Sequence, residues 1–279
     1  LIMMENSICY LEFLGDVFDN VQCPSIILQI LHDGKPFNTN GLKIKERNRE
    51  FLIKTSRKVS NEFFSFSITD EEYEIIRKIE NIKNKVTLKD NAQFALGIVT
   101  GDNKKYISNH RNNSNEILLK GSDIYKFKFN EPQNYITYKP EMFQQVAPTE
   151  LYRAEEKLLY RFISDSLVFA YDNSKTLSLN SCNILIPKID GLSIKYVMAV
   201  LNSSVAEFYY KKQFKSVKIL RSHIEQIPIP FANKKTQDEV VEMVDKILNG
   251  EDCYEELDKK IASLFCIQKR EYKIIRQSM

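Results

Sequence analysis

The chain has 279 residues, 43% hydrophobic and 28% charged, with a formal net charge of +3. That size supports a real core and more than one compact unit, and the balance is that of a soluble globular protein. Five dispersed cysteines with no C-x-x-C pair and three separated histidines argue by spacing against a disulfide framework and a zinc site. No apolar run reaches membrane-spanning length and no signal peptide is visible, so the expected compartment is the cytoplasm and no membrane partner is expected. A charge of +3 does not demand a polyanionic partner, so its local distribution must carry any such argument.

Two apolar runs, Ser7–Leu14 and Ser25–Leu31, read as buried strands joined by the turn residues Gly15–Asn20. Pro24 sits at the start of the second, where a missing donor costs little. Two strands are not stable alone, so this piece needs a larger sheet or must pack on a later part of the chain. Residues 33–60 are polar and basic (Lys43, Lys45, Arg47, Arg49, Lys54, Arg57, Lys58) and read as a solvated connector. Thr69-Asp-Glu-Glu72 then caps a helix over 69–84, with Tyr73, Ile76, Ile79 and Ile82 at helical spacing.

Residues 86–190 mix short strands and loops. Strands are expected at 117–119, 125–129, 135–138, 167–171 and 183–187, and a helix over 149–163 with Leu151, Leu158, Leu159 and Phe162 as its apolar stripe. Another helix is expected over 193–212. The tail carries two more, one opened by Thr236-Gln-Asp-Glu239 and ended by Gly250, the other over 254–265; a short connection favours an antiparallel pair.

The richest stretch runs from Phe94 to Ile107. An apolar run enters a Gly97-x-x-x-Gly101 turn, followed by Asp102-Asn103, Lys104 and Lys105. Such a turn presents amide and ammonium donors together, suiting phosphates or base edges. An ordinary hairpin with solvated lysines explains the same residues. A second candidate is the basic stretch Lys211, Lys212, Lys215, Lys218 and Arg221, with no acid among them. On a continuous helix Lys211, Lys215, Lys218 and Ser222 share one face; a solvated helix end is the alternative. The polar loop 171–181 carries Asn173, Ser174, Lys175, Ser178, Asn180 and Ser181, and Tyr138-Lys139 and Arg153 can add contacts. Tyr106 and Tyr125 read as packing residues.

Catalytic signals are negative: the chain has no nucleophile elbow, no H-E-x-x-H, no phosphate loop and no Asn/Asp-Pro-Pro-aromatic tetrapeptide. Asp123 with Glu155-Glu156-Lys157 matches an acid and E-x-K nuclease pattern, but in a charged predicted helix it reads as a solvated face.

In this order the blocks resemble the specificity half of fused restriction–modification enzymes and related N6-adenine methyltransferases, type IIG with the Taq-like C-terminal specificity domain. Phe13–Phe18 through Pro24–Leu28 resembles the last strand pair of the catalytic domain. Gly97-Ile-Val-Thr-Gly-Asp-Asn-Lys-Lys-Tyr106 resembles the turn that opens the target-recognition domain, and Leu119–Ile124 its next segment. Tyr196–Ser204 through Phe208-Tyr-Tyr210, with Ile227-Pro-Ile-Pro230, resembles its closing helix and exit, and Asp238 to Lys273 the terminal helices.

The resemblance implies an α/β (α+β) fragment: residues 1–35 the end of a methyltransferase sheet, 36–85 a connector with one helix, 86–232 a mixed-sheet target-recognition domain, and 233–279 a helical pair. It implies double-stranded DNA as partner and sequence-specific recognition that directs adenine N6 methylation, with or without cleavage. A catalytic half that binds S-adenosylmethionine would lie upstream of Leu1. The fragment itself would hold no cofactor, no metal and no catalytic residue. The expected DNA contacts are Asn103, Lys104, Lys105, Lys139, Arg153, Asn173, Lys175, Ser178, Asn180, Lys211, Lys215, Lys218 and Arg221. A protein-interaction module that docks a catalytic partner through the terminal helices is the alternative, and a divalent-metal nuclease using Glu155 and Lys157 a third.

Overall fold

The computed structural model describes residues 5–21, 23–47, 49–57, 66–214 and 216–279. The chain divides into two compact units, 1–77 and 78–279, with the boundary inside one helix.

In the first unit, strands β1 (Asn6–Asp16), β2 (Pro24–His32), β3 (Lys43–Glu46) and β4 (Arg49–Leu52) form one sheet in the order β2-β1-β3-β4. The β1–β2 hairpin is antiparallel, and β1 runs parallel to β3. The expected strand pair therefore exists, and its larger sheet comes from the segment read as connector. The basic residues of that segment are largely committed. Lys43 pairs with Glu50 (2.6 Å) and Lys45 with Glu12 (2.7 Å). Arg57 is buried, donates to the Ile68 carbonyl (2.7 Å) and pairs with Asp70 (2.9 Å). Lys58 lies outside the described residues. The core of the unit is Leu11, Leu42, Ile44 and Ile53. The expectation of burial fails for β2. Its Ile26, Ile27, Leu28, Ile30 and Leu31 are 39–55% exposed, because β2 is the outer strand and the core lies under β1 and β3. Helix α1 (Asp70–Glu80) starts at the expected capping box: Thr69 N–H donates to Glu72 (2.7 Å), and Glu72 N–H to the Thr69 hydroxyl (3.2 Å).

The second unit is mixed α/β. Its small elements are β5 (Lys85–Val86), β6 (Ala92–Ala95), α2 (Asn103–Tyr106), β7 (Ile107–Ser108), β8 (Glu116–Leu119), β9 (Tyr135–Ile136) and α3 (Thr149–Tyr152). Then come β10 (Lys157–Arg161), β11 (Phe169–Asp172), β12 (Leu177–Ser178) and β13 (Cys182–Pro187). One sheet has the order β11-β10-β13-β6, the other β12-β8-β9-β7. Ile98, Leu118, Leu119, Ile136, Leu159 and Ile184 lie in their shared core.

Two sequence expectations change here. The helix expected over 149–163 stops at Tyr152, and β10 takes its second half. Leu158, Leu159 and Tyr160 are all buried, as in a central strand covered on both faces; a consecutive apolar triplet fits that as well as a helical stripe. The strand expected at 125–129 is instead a tight loop. Buried Phe127 has φ +75°, and its N–H donates to Phe169 O (2.7 Å) while its carbonyl accepts from Tyr171 N–H (2.9 Å). The loop thereby satisfies the open edge of β11.

Helices α4 (Ile194–Asn202), α5 (Ser204–Gln213) and α6 (Arg221–Ile224) come next, then β14 (Ile229–Pro230), which pairs with β5. Helices α7 (Lys234–Leu248), α8 (Tyr254–Leu264) and α9 (Lys269–Gln277) close the chain, so a third helix joins the expected pair. Helix α7 begins earlier than its expected box, because Asn233 caps it by accepting from Thr236 N–H (2.9 Å). The helix expected over 193–212 is broken at Ser203. Its hydroxyl donates to Val200 O (2.7 Å), ending α4, and accepts from Ala206 N–H (3.2 Å), opening α5. On one side of the break, Asn202 makes a two-way bond with β11: it accepts from Phe169 N–H (2.9 Å) and donates to Phe169 O (2.8 Å). On the other, Ser204 donates from N–H and hydroxyl to the buried Asp258 of α8 (2.7 and 2.6 Å).

At the centre of the strands, Lys157 and Asp172 form a fully buried ion pair at 2.5 Å across the β10–β11 register. Lys157 also donates to Tyr152 O (2.8 Å), and Asp172 accepts from Ser174 N–H and from Thr176 N–H and hydroxyl (2.8–3.0 Å). Burial pushes the Lys157 ammonium below the usual lysine range, against the opposing pull of Asp172. Removing one partner of such a pair strands the other charge. Lys157→Met is expected to cost about 3–5 kcal/mol. Adding Asp172→Leu should return much of that loss, as read from urea denaturation of the two variants.

Candidate nucleic-acid interface

The Gly97–Gly101 turn is built by close backbone packing. Residues 97–99 lie between two other segments. Ile98 N–H donates to Ser178 O (2.7 Å) and Asn180 N–H to Ile98 O (3.1 Å) on one side; on the other, Val99 and Gln145 exchange N–H to O bonds (2.9 and 3.0 Å). A Cβ on Gly97 would sit 2.0 Å from the Leu179 carbonyl oxygen, so only glycine fits. Gly101 has φ +82° and turns the chain outward. Asp102 then caps α2 by accepting from Lys105 N–H (3.2 Å), and the Thr100 hydroxyl donates to Asn103 Oδ1 (2.6 Å). Asn103, Lys104 and Lys105 are exposed on this short helix.

A row of half-buried aromatic rings runs from here. The Lys105 ammonium lies 5.0 Å from the Tyr106 ring centre. Tyr106 meets Phe143 edge-on at 5.4 Å, Phe143 meets Tyr138 at 6.2 Å, and the Arg153 guanidinium lies 5.3 Å over Tyr138. Tyr152 anchors the row from the core, its hydroxyl donating to Leu96 O (2.9 Å) and accepting from Ala147 N–H (3.0 Å). Exposed Lys139 is the next residue after Tyr138. Lys104, Lys105 and Lys139 have no acidic partner among the described residues. Arg153 is bound in a fork by Glu116 (2.7 and 2.8 Å), and Lys175 pairs with Glu155 (3.2 Å). The Lys105 ammonium at the Tyr106 ring, with exposed Lys104 and Lys139 on the same segments as the rings, makes a surface suited to phosphates and bases.

Comparison with known proteins adds to this geometry. Residues 116–229 match the model of the TaqI-like C-terminal specificity domain. This segment is therefore similar to a TaqI-like specificity domain. No curated protein matches the chain. Among solved structures, a type IIL restriction–modification enzyme, MmeI, determined in complex with DNA, is similar in fold over 98% of this chain and 45% of that one, at TM-score 0.54 and 9% identity. Fainter likenesses are to a type I restriction–modification assembly (TM-score 0.42, 12% identity, 74% of this chain and 49% of that) and to the HsdS subunit from Thermoanaerobacter tengcongensis (0.39, 15%, 70% and 49%). The chain thus spans about half the length of these structures or less.

The matched segment holds most of the sequence-selected residues, but not in one place. Lys139, Arg153 and Lys175 lie on or beside the aromatic row; Asn103, Lys104 and Lys105 join it from just outside the matched segment. Asn180 is exposed next to Ile98. Asn173 borders a separate open cavity of about 520 Å³ with Lys128, Tyr171, Lys195 and Asp245. Ser178 is fully buried in the core, so its hydroxyl is out of reach of a duplex. The basic stretch is not one helix: α5 ends at Gln213 and α6 starts at Arg221, so the expected shared face does not form. Phe214 is buried between them and stacks on His223 (4.2 Å), which breaks the helix. Lys211 pairs with Glu207 (2.9 Å) and Arg221 with Glu225 (2.7 Å). Lys218 is exposed, and Lys215 lies outside the described residues. The nuclease pattern loses its lysine, since Lys157 is committed to Asp172.

Sequence reasoning missed Phe143, Gln144 and Gln145. No periodicity marks them, and only the pairing of Gln145 with Val99 brings them to the turn. On the other side of the turn, the close approach of the Leu179 and Cys182 carbonyls makes it sensitive to Gly97. Gly97→Ala is expected to destabilise the protein by about 1–3 kcal/mol through overpacking, read as a lowered urea midpoint.

Proposed function

We propose that this chain recognises a specific duplex DNA sequence for a restriction–modification system, through the surface formed by Asn103–Tyr106, Tyr138–Lys139, Phe143–Gln145 and Arg153. The observation that carries the reading is a segment similar to a TaqI-like specificity domain whose aromatic row meets Lys105, with exposed Lys104 and Lys139 close to its residues in the chain and no acidic partner for any of the three among the described residues. The finer reading rests on the sequence resemblance: recognition directs adenine N6 methylation by a catalytic half of the same enzyme. S-adenosylmethionine belongs to that half. Gly15, in the Phe13–Asp16 stretch, lies within strand β1 and pairs with Ser25 of β2 rather than opening a helix, so this stretch does not form a cofactor loop.

The exposed apolar strand β2 is the surface such a partner would cover, since contiguous exposed apolar patches mark interaction sites. The terminal helices suit that role less well. Val240, Val244, Leu257, Ile261 and Ile275 are buried, and the helices' apolar faces pack against α4, α5 and one another.

Binding to a mixed duplex pool, measured by fluorescence anisotropy across salt concentrations, tests the DNA reading. Each phosphate contact contributes close to one unit of log–log slope. Replacing Lys104, Lys105 and Lys139 together by Gln should weaken binding and reduce the slope by about three units. Absence of salt-dependent binding by the unaltered chain at low salt overturns the reading. For the partner surface, Ile27→Lys with Leu31→Lys should abolish pull-down of the separately expressed catalytic half while leaving duplex affinity unchanged.

A further inference from the structure

Four exposed side-chain amides lie on the segments that meet at the glycine turn. Asn103 lies just past Gly101 on α2; Gln144 and Gln145 come from the segment bonded to Val99; Asn180 comes from the segment bonded to Ile98. Three stretches distant in sequence are thus tied by main-chain hydrogen bonds into one platform. Gln144 lies over the turn itself: its Cβ and Oε1 are 3.3 and 3.6 Å from where a Gly101 Cβ would stand. The amides of Gln144, Gln145 and Asn180 bond to no protein group among the described residues. Asn103 accepts only the Thr100 hydroxyl, which leaves its NH₂ group free to donate.

A carboxamide offers one donor and one acceptor side by side. Adenine presents the complement in the major groove, an N7 acceptor beside the N6 amino donor. Guanine presents two acceptors there, and one would face the amide oxygen. The platform is held by backbone pairing rather than by mobile side chains, which suits a reading element. Lys104, Lys105 and Lys139 stand nearby to hold the phosphates.

We propose that Gln144 and Gln145, with Asn103 and Asn180, form the base-reading tip of the domain and select adenine in A·T pairs. This rests on the DNA-recognition reading above and adds to it the residues that specify sequence and the base they take.

The test is selection of a randomised duplex library by the full chain, beside Gln144→Ala, Gln145→Ala and, as control, Gln93→Ala, an exposed amide on β6. The unaltered chain and the control should enrich the same motif. At least one tip variant should lose discrimination at an A·T position by roughly 5- to 150-fold, with an unchanged salt slope. Retention of the full motif by both tip variants overturns the proposal, as does loss confined to G·C positions. Salt-dependent binding without enrichment of any motif overturns the proposal but leaves the domain a DNA binder. Absence of binding overturns the DNA-recognition reading and this inference with it.

Discussion

The buried pair of Lys157 and Asp172 is the constraint on which the recognition unit is organised. Two charges taken out of water are costly unless every polar atom finds a partner. Here they do. The ammonium takes the last carbonyl of α3, fixing where that helix ends and Arg153 begins. The carboxylate gathers the N–H groups of Ser174 and Thr176, fixing the loop that carries Lys175. The pair also sets the β10–β11 register. Its contribution is specificity of arrangement: an apolar pair would fill the space without choosing where the loop goes.

A second polar anchor joins the strands to the helices. The run Asn202-Ser203-Ser204 divides its work among three targets: the edge of β11, the break between α4 and α5, and the buried Asp258. Lys126 adds a third strut, donating to Asn202 O and Glu207 (both 2.9 Å). These side chains are inward and structural. The Leu-Asn-Ser-Ser block that helped the sequence resemble a specificity domain is thus a fold determinant, while the surface proposed to contact DNA lies on other loops.

The sequence shows some of this and hides the rest, for physical reasons. Local signals are legible: the capping box at Thr69, the alternating and apolar runs of β1 and β2, and the glycine turn at 97–101. Long-range pairing is not. Residues 157–160 carry the apolar density of a helix, and only burial on both faces makes them a strand. The basic stretch from Lys211 to Arg221 looks continuous until Phe214 turns inward. Ser178 belongs to a polar loop by composition but is drawn into the core by the β8–β12 pairing. Gln144 and Gln145 reach the glycine turn only because Gln145 pairs with Val99, some 46 positions earlier in the chain.

In the proposed complex the aromatic row and its glycine turn face DNA. Hydrogen–deuterium exchange of the full chain, with and without an enriched duplex, tests this directly. The account predicts slowed exchange over residues 99–106 and 138–145, with α8 and α9 unchanged. Protection confined to the terminal helices or to β2, with the turn unaffected, would contradict it.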